Sequence, residues 1–219
     1  MVKKTDVQIH HDVLEELKWD SRVDETEVGV QVHNGVVTLT GTVTGWAKRV
    51  AAQEAAQRVI GVLDVANDLK VNVPGTRTDT DIAHAIRQAL EWDVFVPDDK
   101  IRSTVSDGWV TLEGTVDRVS QREDAQRAVR NLFGVRGISN MIALKDTTPG
   151  TGDVRKAIEQ TLERRAEREA RRIRVDVHDG IVTLTGTVHT WAERKSVLAA
   201  VRFTQGVRSV DDRLRIEPV

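Results

Sequence analysis

Apolar positions along the chain follow two spacings, and the same order of spacings occurs three times. A stripe at i, i+4 and i+8 predicts an amphipathic helix, and the alternation that follows it predicts a strand with one buried face. The three helical stripes are Ile9, Val13 and Leu17; Ile82, Ile86 and Leu90; and Val154, Ile158 and Leu162. The three alternating runs begin at Val28, Ile101 and Ile173.

A nine-residue pattern follows each alternating run. It reads Gly-x-Val-Thr-Leu-x-Gly-Thr-Val and starts at Gly35, Gly108 and Gly180, 73 and 72 residues apart. The residue before each of these glycines is Asn or Asp, and such a dipeptide predicts a two-residue type I′ hairpin because both turn positions need a positive φ. A period of this length matches a small domain rather than a solenoid unit. The chain is therefore predicted to hold three copies of one fold.

Each copy continues with a second helix and a last alternating strand, which in the first copy run from about Trp46 to Val59 and from Val65 to Val71. A helix between two strands favours a parallel, right-handed crossover. We therefore expect an α+β fold of three tandem α-β-β-α-β domains, each a small three-stranded mixed sheet covered on one face by two helices. Proline and glycine between the copies predict short linkers, which places the domains at residues 1–75, 76–148 and 149–219.

Six glycines of the repeated pattern are interpreted as structural. Gly35, Gly108 and Gly180 occupy the predicted turns. The other three point inward from a strand, where a missing side chain lets a helix approach the sheet or lets the strand bulge; they are Gly41, Gly114 and Gly186. Glycine-rich loops can also bind phosphate, but each of these positions has a backbone reason for glycine.

Composition bounds the class of protein. The 219 residues carry a net charge of −2 and contain no cysteine, which excludes disulfides, thiolate metal sites and a cysteine nucleophile. No run approaches the ~20 apolar residues of a membrane-spanning helix. The first residues lack the pattern of a secretory signal, so a cytoplasmic location is expected, or a periplasmic one if the N-terminus has been trimmed.

The small net charge hides an asymmetry among the copies. Lys and Arg number 8 against 11 Asp and Glu in residues 1–75, 10 against 12 in 76–148, and 14 against 11 in 149–219. Only the third copy is basic. Any anionic partner is therefore expected to bind there.

The repeated residues resemble the BON domain family. The resemblance rests on the Asn/Asp-Gly-x-Val-Thr-Leu-x-Gly-x-Val hairpin and on Gly61-Val62-x-x-Val65-x-Asn67-x-Leu69 with its counterparts at Gly134 and Gly206. It covers nearly the whole chain. It implies a non-enzymatic protein of the osmotic or stress response that binds phospholipid membranes or other hydrophobic ligands.

Residues that could carry catalysis do not form a recurring set. Of the six histidines, His33 and His178 occupy equivalent positions, but the second copy has Ser106 there. There is neither an HExxH pair nor a phosphate-binding glycine loop. We therefore expect no enzyme activity, no metal site and no cofactor.

Tryptophans occupy two repeated positions. Trp46 and Trp191 begin the second helix, and Trp19 and Trp92 end the first. Tryptophan is common at interfaces because it is apolar with one polar tip. The favoured interpretation is that each of these side chains packs at the rim of its own domain's core or against a neighbouring domain. Among the tryptophans, Trp109 is the one expected to be exposed, on the outward face where the second strand of its hairpin starts.

The third copy has an arginine-rich segment before its first strand. Arg168 stands where the other copies have Val23 and Val96. Glu and Arg spaced at i, i+4 can form ion pairs, so one interpretation is an ordinary solvated helix. The alternative is a face that binds anionic phospholipid headgroups. The candidate ligand-binding residues are Arg164, Arg165, Arg168, Arg171 and Arg172.

The sequence thus favours a non-enzymatic stress-response protein that engages anionic phospholipid surfaces or partner proteins through its tandem domains. Three weak sites on one chain would act together through effective concentration. The alternative is a structural scaffold that acts by self-association, as a weak homo-oligomer, or by domain packing. Nucleic-acid binding is disfavoured because the sequence pI is about 6.3.

Overall fold

The structure, a computed structural model, describes residues 4–73, 75, 77–145, 154–158, 172–204 and 206–217. The first copy contains helices α1 (Asp6–Trp19) and α2 (Trp46–Arg58) and strands β1 (Val28–His33), β2 (Val36–Val43), β3 (Asp64–Asn67) and β4 (Lys70–Val71). The second contains α3 (Asp79–Trp92), α4 (Val119–Arg130), β5 (Ile101–Ser106), β6 (Trp109–Val116) and β7 (Gly137–Leu144). The third contains α5 (residues 154–158), α6 (Trp191–Arg202), β8 (Ile173–His178), β9 (Ile181–Val188) and β10 (Ser209–Ile216).

The predicted fold is confirmed in each copy. The first two strands pair antiparallel, and the second pairs in parallel with the last, which makes the second strand central in all three sheets. In the first copy the last strand is interrupted, so β3 and β4 both pair with β2. The helical stripes predicted from the sequence are buried where the structure describes them. Capping boxes at Thr5 and Thr78 satisfy backbone groups at the starts of α1 and α3.

The hairpin turns have the predicted conformation. Asn34 and Gly35 have φ of 52° and 79°, and the second and third copies repeat these values closely. The carboxylate of Asp6 accepts hydrogen bonds from the N–H groups of Asn34 and Gly35 at 2.7 and 2.9 Å. Asp79 holds the second turn in the same way. The first residue of the helix therefore fixes the hairpin tip.

The strand glycines have a different cause from the one expected. A Cβ on Gly41 would lie 2.1 Å from the carbonyl oxygen of Glu27, and Gly114 and Gly186 face the equivalent carbonyls at the same distance. Close approach of the backbone at the residue directly before the first strand of each copy thus requires glycine. The positive φ of these residues, 126° at Gly41, makes any side chain strained as well.

The three copies form a closed ring through equivalent residues at the starts of their second helices. Trp46 packs against the core of the second copy. Val119 is 3% exposed and lies in the core of the third copy, and Trp191 packs against the core of the first. Each copy therefore inserts one side chain into the next, and the third returns to the first. This is a head-to-tail contact that closes after three units.

Ion pairs cross each of the three junctions. Glu54 on α2 lies 3.9 Å from Arg130 of the second copy and 3.5 Å from Lys195 of the third. Arg202 pairs with Glu123 at 3.0 Å. Burial would raise the pKa of Glu54, but a hydrogen bond from Arg22 and the charges of Lys195 and Arg130 lower it below its usual range. Glu54 therefore stays ionised and joins all three copies.

Candidate functional site

The arginine segment predicted to bind anions lies almost wholly outside the described residues. Of its five arginines, Arg164, Arg165, Arg168 and Arg171 fall outside, so their role stays a prediction. Arg172 is described, is exposed and contacts Nε2 of His189. The other ring nitrogen of His189 lies 2.8 Å from the carbonyl oxygen of Glu217. Arg172 is therefore positioned at the edge of the third sheet, where β8 begins.

Arg172 borders a group of arginines on the open face of the third sheet. Successive side chains of a strand point to opposite faces. In β10 Leu214 is buried beneath α6, so Arg213 and Arg215 point outward, and both are exposed. In β8 Val175 is buried, and Arg174 is exposed on the outward side. Hereafter the arginine face means Arg172, Arg174, Arg213 and Arg215.

Strand register brings these side chains together. Thr185 on the central strand β9 pairs with Arg174 on one side and with Arg213 on the other. Thr187, two residues on, pairs with Arg215. Neighbouring strands lie about 4.8 Å apart. Guanidinium groups of two edge strands therefore flank a central row of threonine hydroxyls, and both kinds of group can donate hydrogen bonds to an anionic oxygen.

Carboxylates offset part of this charge. Asp211 pairs with Arg213 at 2.7 Å, and its hydrogen bond raises the pKa of that guanidinium. Asp211 and Asp176 both register with Thr183, toward the opposite end of the sheet. Glu217 follows β10 and is exposed beside Arg215. Two of the three carboxylates therefore lie away from the end of β9 where the arginines gather, and Glu217 lies at that end.

The other two copies lack such a face. At the equivalent positions the first copy has two acidic residues, one glycine and one lysine, namely Glu27, Gly29, Asp68 and Lys70. The second has two basic and two apolar residues, namely Lys100, Arg102, Met141 and Ala143. Arg102 also lies opposite Glu113 in the strand register. Only the third copy places four cations on its open face.

Three residues of the arginine face were missed by sequence reasoning. Arg174, Arg213 and Arg215 are spread over two strands far apart in the chain, whereas Arg164 to Arg172 form a visible run. The signal that could have found them is strand parity. Alternation already assigned Val175 and Leu214 to the core, and their sequence neighbours must then face outward.

One family model matches the chain three times, once in each domain. It is described as BON domain and matches residues 5–73, 78–146 and 151–218. The chain belongs to the BON domain family. The division at residues 75 and 148 stays a prediction, although each matched range contains one sheet.

One curated relative is the osmotically-inducible protein Y of Escherichia coli (strain K12). It is 31% identical over 129 residues, which cover 56% of this chain and 64% of the relative. The match therefore spans less than two thirds of that relative's length. The match agrees with the family assignment. The activity of this chain has to be inferred from its own residues.

Two solved structures are similar at low scores. Both are of CdsD, a structural protein of the Type III secretion system of Chlamydia trachomatis, one of them being its C-terminal domain. Each is 14% identical with a TM-score of 0.28; coverage is 97% of this chain and 93% of the other in one case, and 98% and 100% in the second. Scores of this size support no conclusion about this protein.

Tryptophans in these BON domains fall into two groups. The predicted packing of Trp46 and Trp191 is confirmed, because both lie against a neighbouring domain. The same prediction is wrong for Trp19 and Trp92, which are 79% and 80% exposed. Trp109 was predicted to be exposed, and this is confirmed: it is 48% exposed, and its ring meets that of Trp46 edge-to-face at 6.4 Å. The helix ends carrying Trp19 and Trp92 project beyond the cores.

The described residues contain no group of three or more His, Cys, Asp or Glu side chains that could hold a metal ion. Nor does any helix within them have the length and apolar character needed to cross a membrane. Among the described residues, the arginine face is therefore the clearest chemical difference between the third domain and the other two.

Proposed function

We propose that this is a non-enzymatic BON-domain protein of the osmotic-stress response whose third domain engages anionic phospholipid surfaces. The observation that carries the proposal is the arginine face, which the other two domains lack. The osmotic role is suggested by the name of the Escherichia coli relative. Because that match is partial, the role belongs to the proposal.

The arginine face suits a charged surface better than a small molecule. Its side chains spread over an open sheet and do not converge in a cleft, whereas ligand pockets are concave. Each basic residue near an anionic membrane contributes about 1 kcal/mol of attraction. Four arginines, one of them shared with Asp211, would give a weak and reversible contact.

The arginine segment would extend the same contact. It leads into β8 at Arg172, so its charges adjoin the face in sequence. Val23 and Val96, equivalent to Arg168, are 9% and 6% exposed in their domains. The third copy has a charged residue at a position that is apolar in the other two copies. We therefore include Arg164, Arg165, Arg168 and Arg171 in the proposed site.

Vesicle sedimentation tests the proposal. The chain should pellet with vesicles of phosphatidylglycerol and phosphatidylcholine, but not with phosphatidylcholine alone, and added salt should release it. Changing Arg174, Arg213 and Arg215 to Gln should reduce binding at least tenfold, and changing the five arginines of the segment should reduce it further. The matched control changes Lys100 and Arg102 to Gln in the second domain. Equal binding of the face variant and the control would refute the proposed site.

A second readout separates lipid from nucleic acid. Phosphate groups of DNA would also attract arginine, with a steep dependence of affinity on salt. Binding to duplex DNA that equals or exceeds vesicle binding under the same conditions would replace the lipid by a nucleic acid as the partner.

A further inference from the structure

The second domain exposes a cluster of large apolar side chains at the end of α3. Trp92, Val94 and Phe95 are 80%, 89% and 71% exposed, within four consecutive residues. Contiguous apolar surface of this kind marks interaction sites on soluble proteins. Hereafter residues 92–95 are called the aromatic loop.

Hydrogen bonds and one buried side chain hold the aromatic loop in a defined shape. The carboxylate of Asp93 accepts a bond from the N–H of Phe95 at 3.0 Å, and its carbonyl accepts one from the N–H of Val96 at 3.0 Å. Val96 is 6% exposed and anchors the loop to the core. A surface that is already ordered loses less conformational entropy when it binds. The loop thus presents its apolar side chains in a prepared arrangement.

The rim of the aromatic loop is acidic. Glu91, Asp93, Asp98 and Asp99 surround the three apolar residues in sequence. Arg87 pairs with two of these carboxylates, with Glu91 at 3.0 Å and with Asp98. Like charges on a partner would be repelled, so the rim disfavours an anionic membrane and favours a basic partner.

The arginine face offers the complementary chemistry. Guanidinium groups pair with carboxylates and also stack on aromatic rings. The same stacking occurs among the described residues. Arg49 lies 5.1 Å from the ring centre of Trp46, Arg194 lies 4.8 Å from that of Trp191, and Arg77 lies 5.7 Å from that of Phe133. An acidic loop with two exposed rings therefore matches a sheet face with four arginines.

We propose that the aromatic loop of one copy of this chain docks on the arginine face of a second copy. The high exposure of Trp92 and Phe95 means that they do not bind their own chain's third domain. Loop and face lie on different domains, so the contact is head-to-tail, and each copy keeps one free loop or one free face. The aromatic side chains bury about 150–250 Å² each, which is small against the ~1,200 Å² of a stable interface. The association is therefore weak and grows with concentration.

Sedimentation equilibrium of the full chain measures this association. The average mass should rise with concentration and fall toward the monomer in high salt, since the rim pairs are screened. The loop variant, with Trp92, Val94 and Phe95 changed to Ser, and the face variant, with Arg174, Arg213 and Arg215 changed to Gln, should each associate at least tenfold more weakly. Trp19→Ser is the matched control for an exposed tryptophan, and it should associate like the unchanged chain.

Mixing the two variants gives the decisive result. The loop variant keeps an intact face and the face variant keeps an intact loop, so an equimolar mixture should form a one-to-one pair that neither variant forms alone. All substituted side chains are exposed, and thermal unfolding of each variant verifies that it is folded. A mixture that stays monomeric, or an unchanged chain that stays monomeric at every concentration, overturns the proposal.

The same variants keep this inference distinct from the proposed function. Vesicle binding needs the arginine face but not the aromatic loop, so the loop variant should pellet with vesicles as the unchanged chain does. Pairing in the mixture without vesicle binding would refute only the lipid function. Vesicle binding without pairing would refute only the docking of two copies, and vesicle binding lost in the loop variant would assign the loop to lipid.

Discussion

The loops that follow the first helix differ sharply between the first two domains. In the first domain Asp20 accepts hydrogen bonds from Arg22 at 2.8 Å and from Arg58 at 2.7 Å, and its side chain is only 6% exposed. In the second domain the equivalent Asp93 has Phe95 and Asn131 at the two arginine positions. One loop is tied to its own domain by ion pairs, and the other exposes apolar side chains.

The comparison extends to the pKa values of nearby carboxyl groups. The hydrogen bond from Arg22, with that from Arg58, lowers the pKa of Asp20 well below its usual range, although burial opposes them. On α4 burial raises the pKa of Asp124, and the charge of Asp93 raises it further against the opposing charge of Arg127. The two domains share one fold, but the pKa of Asp20 is lowered in the first and the pKa of Asp124 is raised in the second. The two arginines that stabilise the loop of the first domain are replaced by Phe95 and Asn131 in the second, whose loop exposes apolar side chains.

The largest expected effect is on the first loop. Asp20→Asn keeps the shape of the side chain but removes the charge that both arginines bind, and hydrogen bonds to charged groups contribute about 1.5–3 kcal/mol. We expect the free energy of unfolding to fall by about 2 kcal/mol at pH 7 in urea denaturation. Asp93→Asn is the matched control and should change it by less than about 0.5 kcal/mol. Equal costs at the two positions would contradict the comparison.

Acid should erase that difference. Because the pKa of Asp20 is lowered in the folded state, its stabilisation is present above the unfolded value of 3.8 and is lost as pH falls below it. The gap in unfolding free energy between the unchanged chain and Asp20→Asn should therefore shrink between about pH 4 and about pH 2. A gap that stays constant over this range would show that Asp20 stabilises the loop without its charge.

A smaller effect of opposite sign is expected at Asp124. Ala51 and Ser196 occupy the equivalent positions, and Asp124 is 8% exposed on α4. Its raised pKa means that ionisation destabilises the folded state, so its cost appears as pH rises above 3.8. Asp124→Ala should raise the free energy of unfolding by about 1 kcal/mol at pH 7. The gain should decrease as pH falls toward 3.8.

Helix propensity accounts for part of that gain, since alanine is the best helix former. Ser196→Ala at the equivalent position of α6 measures this part, and it should show no pH dependence. A loss of stability in Asp124→Ala would mean that the 2.9 Å pair with Arg127 outweighs the cost of burial.

A structural feature could be predicted from the sequence when the residues that determine it lie close together along the chain. The turns at Gly35 and its counterparts followed from two adjacent residues, and the order of strands followed from periodicity. The carbonyl of Glu27 that excludes a Cβ at Gly41 lies in the turn directly before β1, so only the fold could reveal it. Trp46 was predicted to pack, but its position against the second domain depends on closure of the ring. The arginine face needed the registers of three strands, and the Asp20–Arg58 pair spans 38 residues.

The smallest expected effect comes from moving the first loop's chemistry into the second. Phe95→Arg with Asn131→Arg places two guanidinium groups beside Asp93, as Arg22 and Arg58 lie beside Asp20. Since an exposed ion pair contributes at most about 1 kcal/mol, the free energy of unfolding should rise by about 0.5 kcal/mol. The change should also weaken association of the chain with itself, because it removes one exposed ring and reduces the negative charge of the acidic rim.

The matched control for this transfer is Phe95→Gln with Asn131→Gln, which removes the ring without adding charge. It should weaken association less than the arginine pair does and leave stability unchanged. If both variants associate equally weakly, the ring alone carries the contact and the acidic rim is dispensable. If the arginine pair leaves stability unchanged, position alone does not reproduce the first loop, and the pairing of Arg22 with Glu54 at 3.0 Å becomes the feature that the second domain lacks.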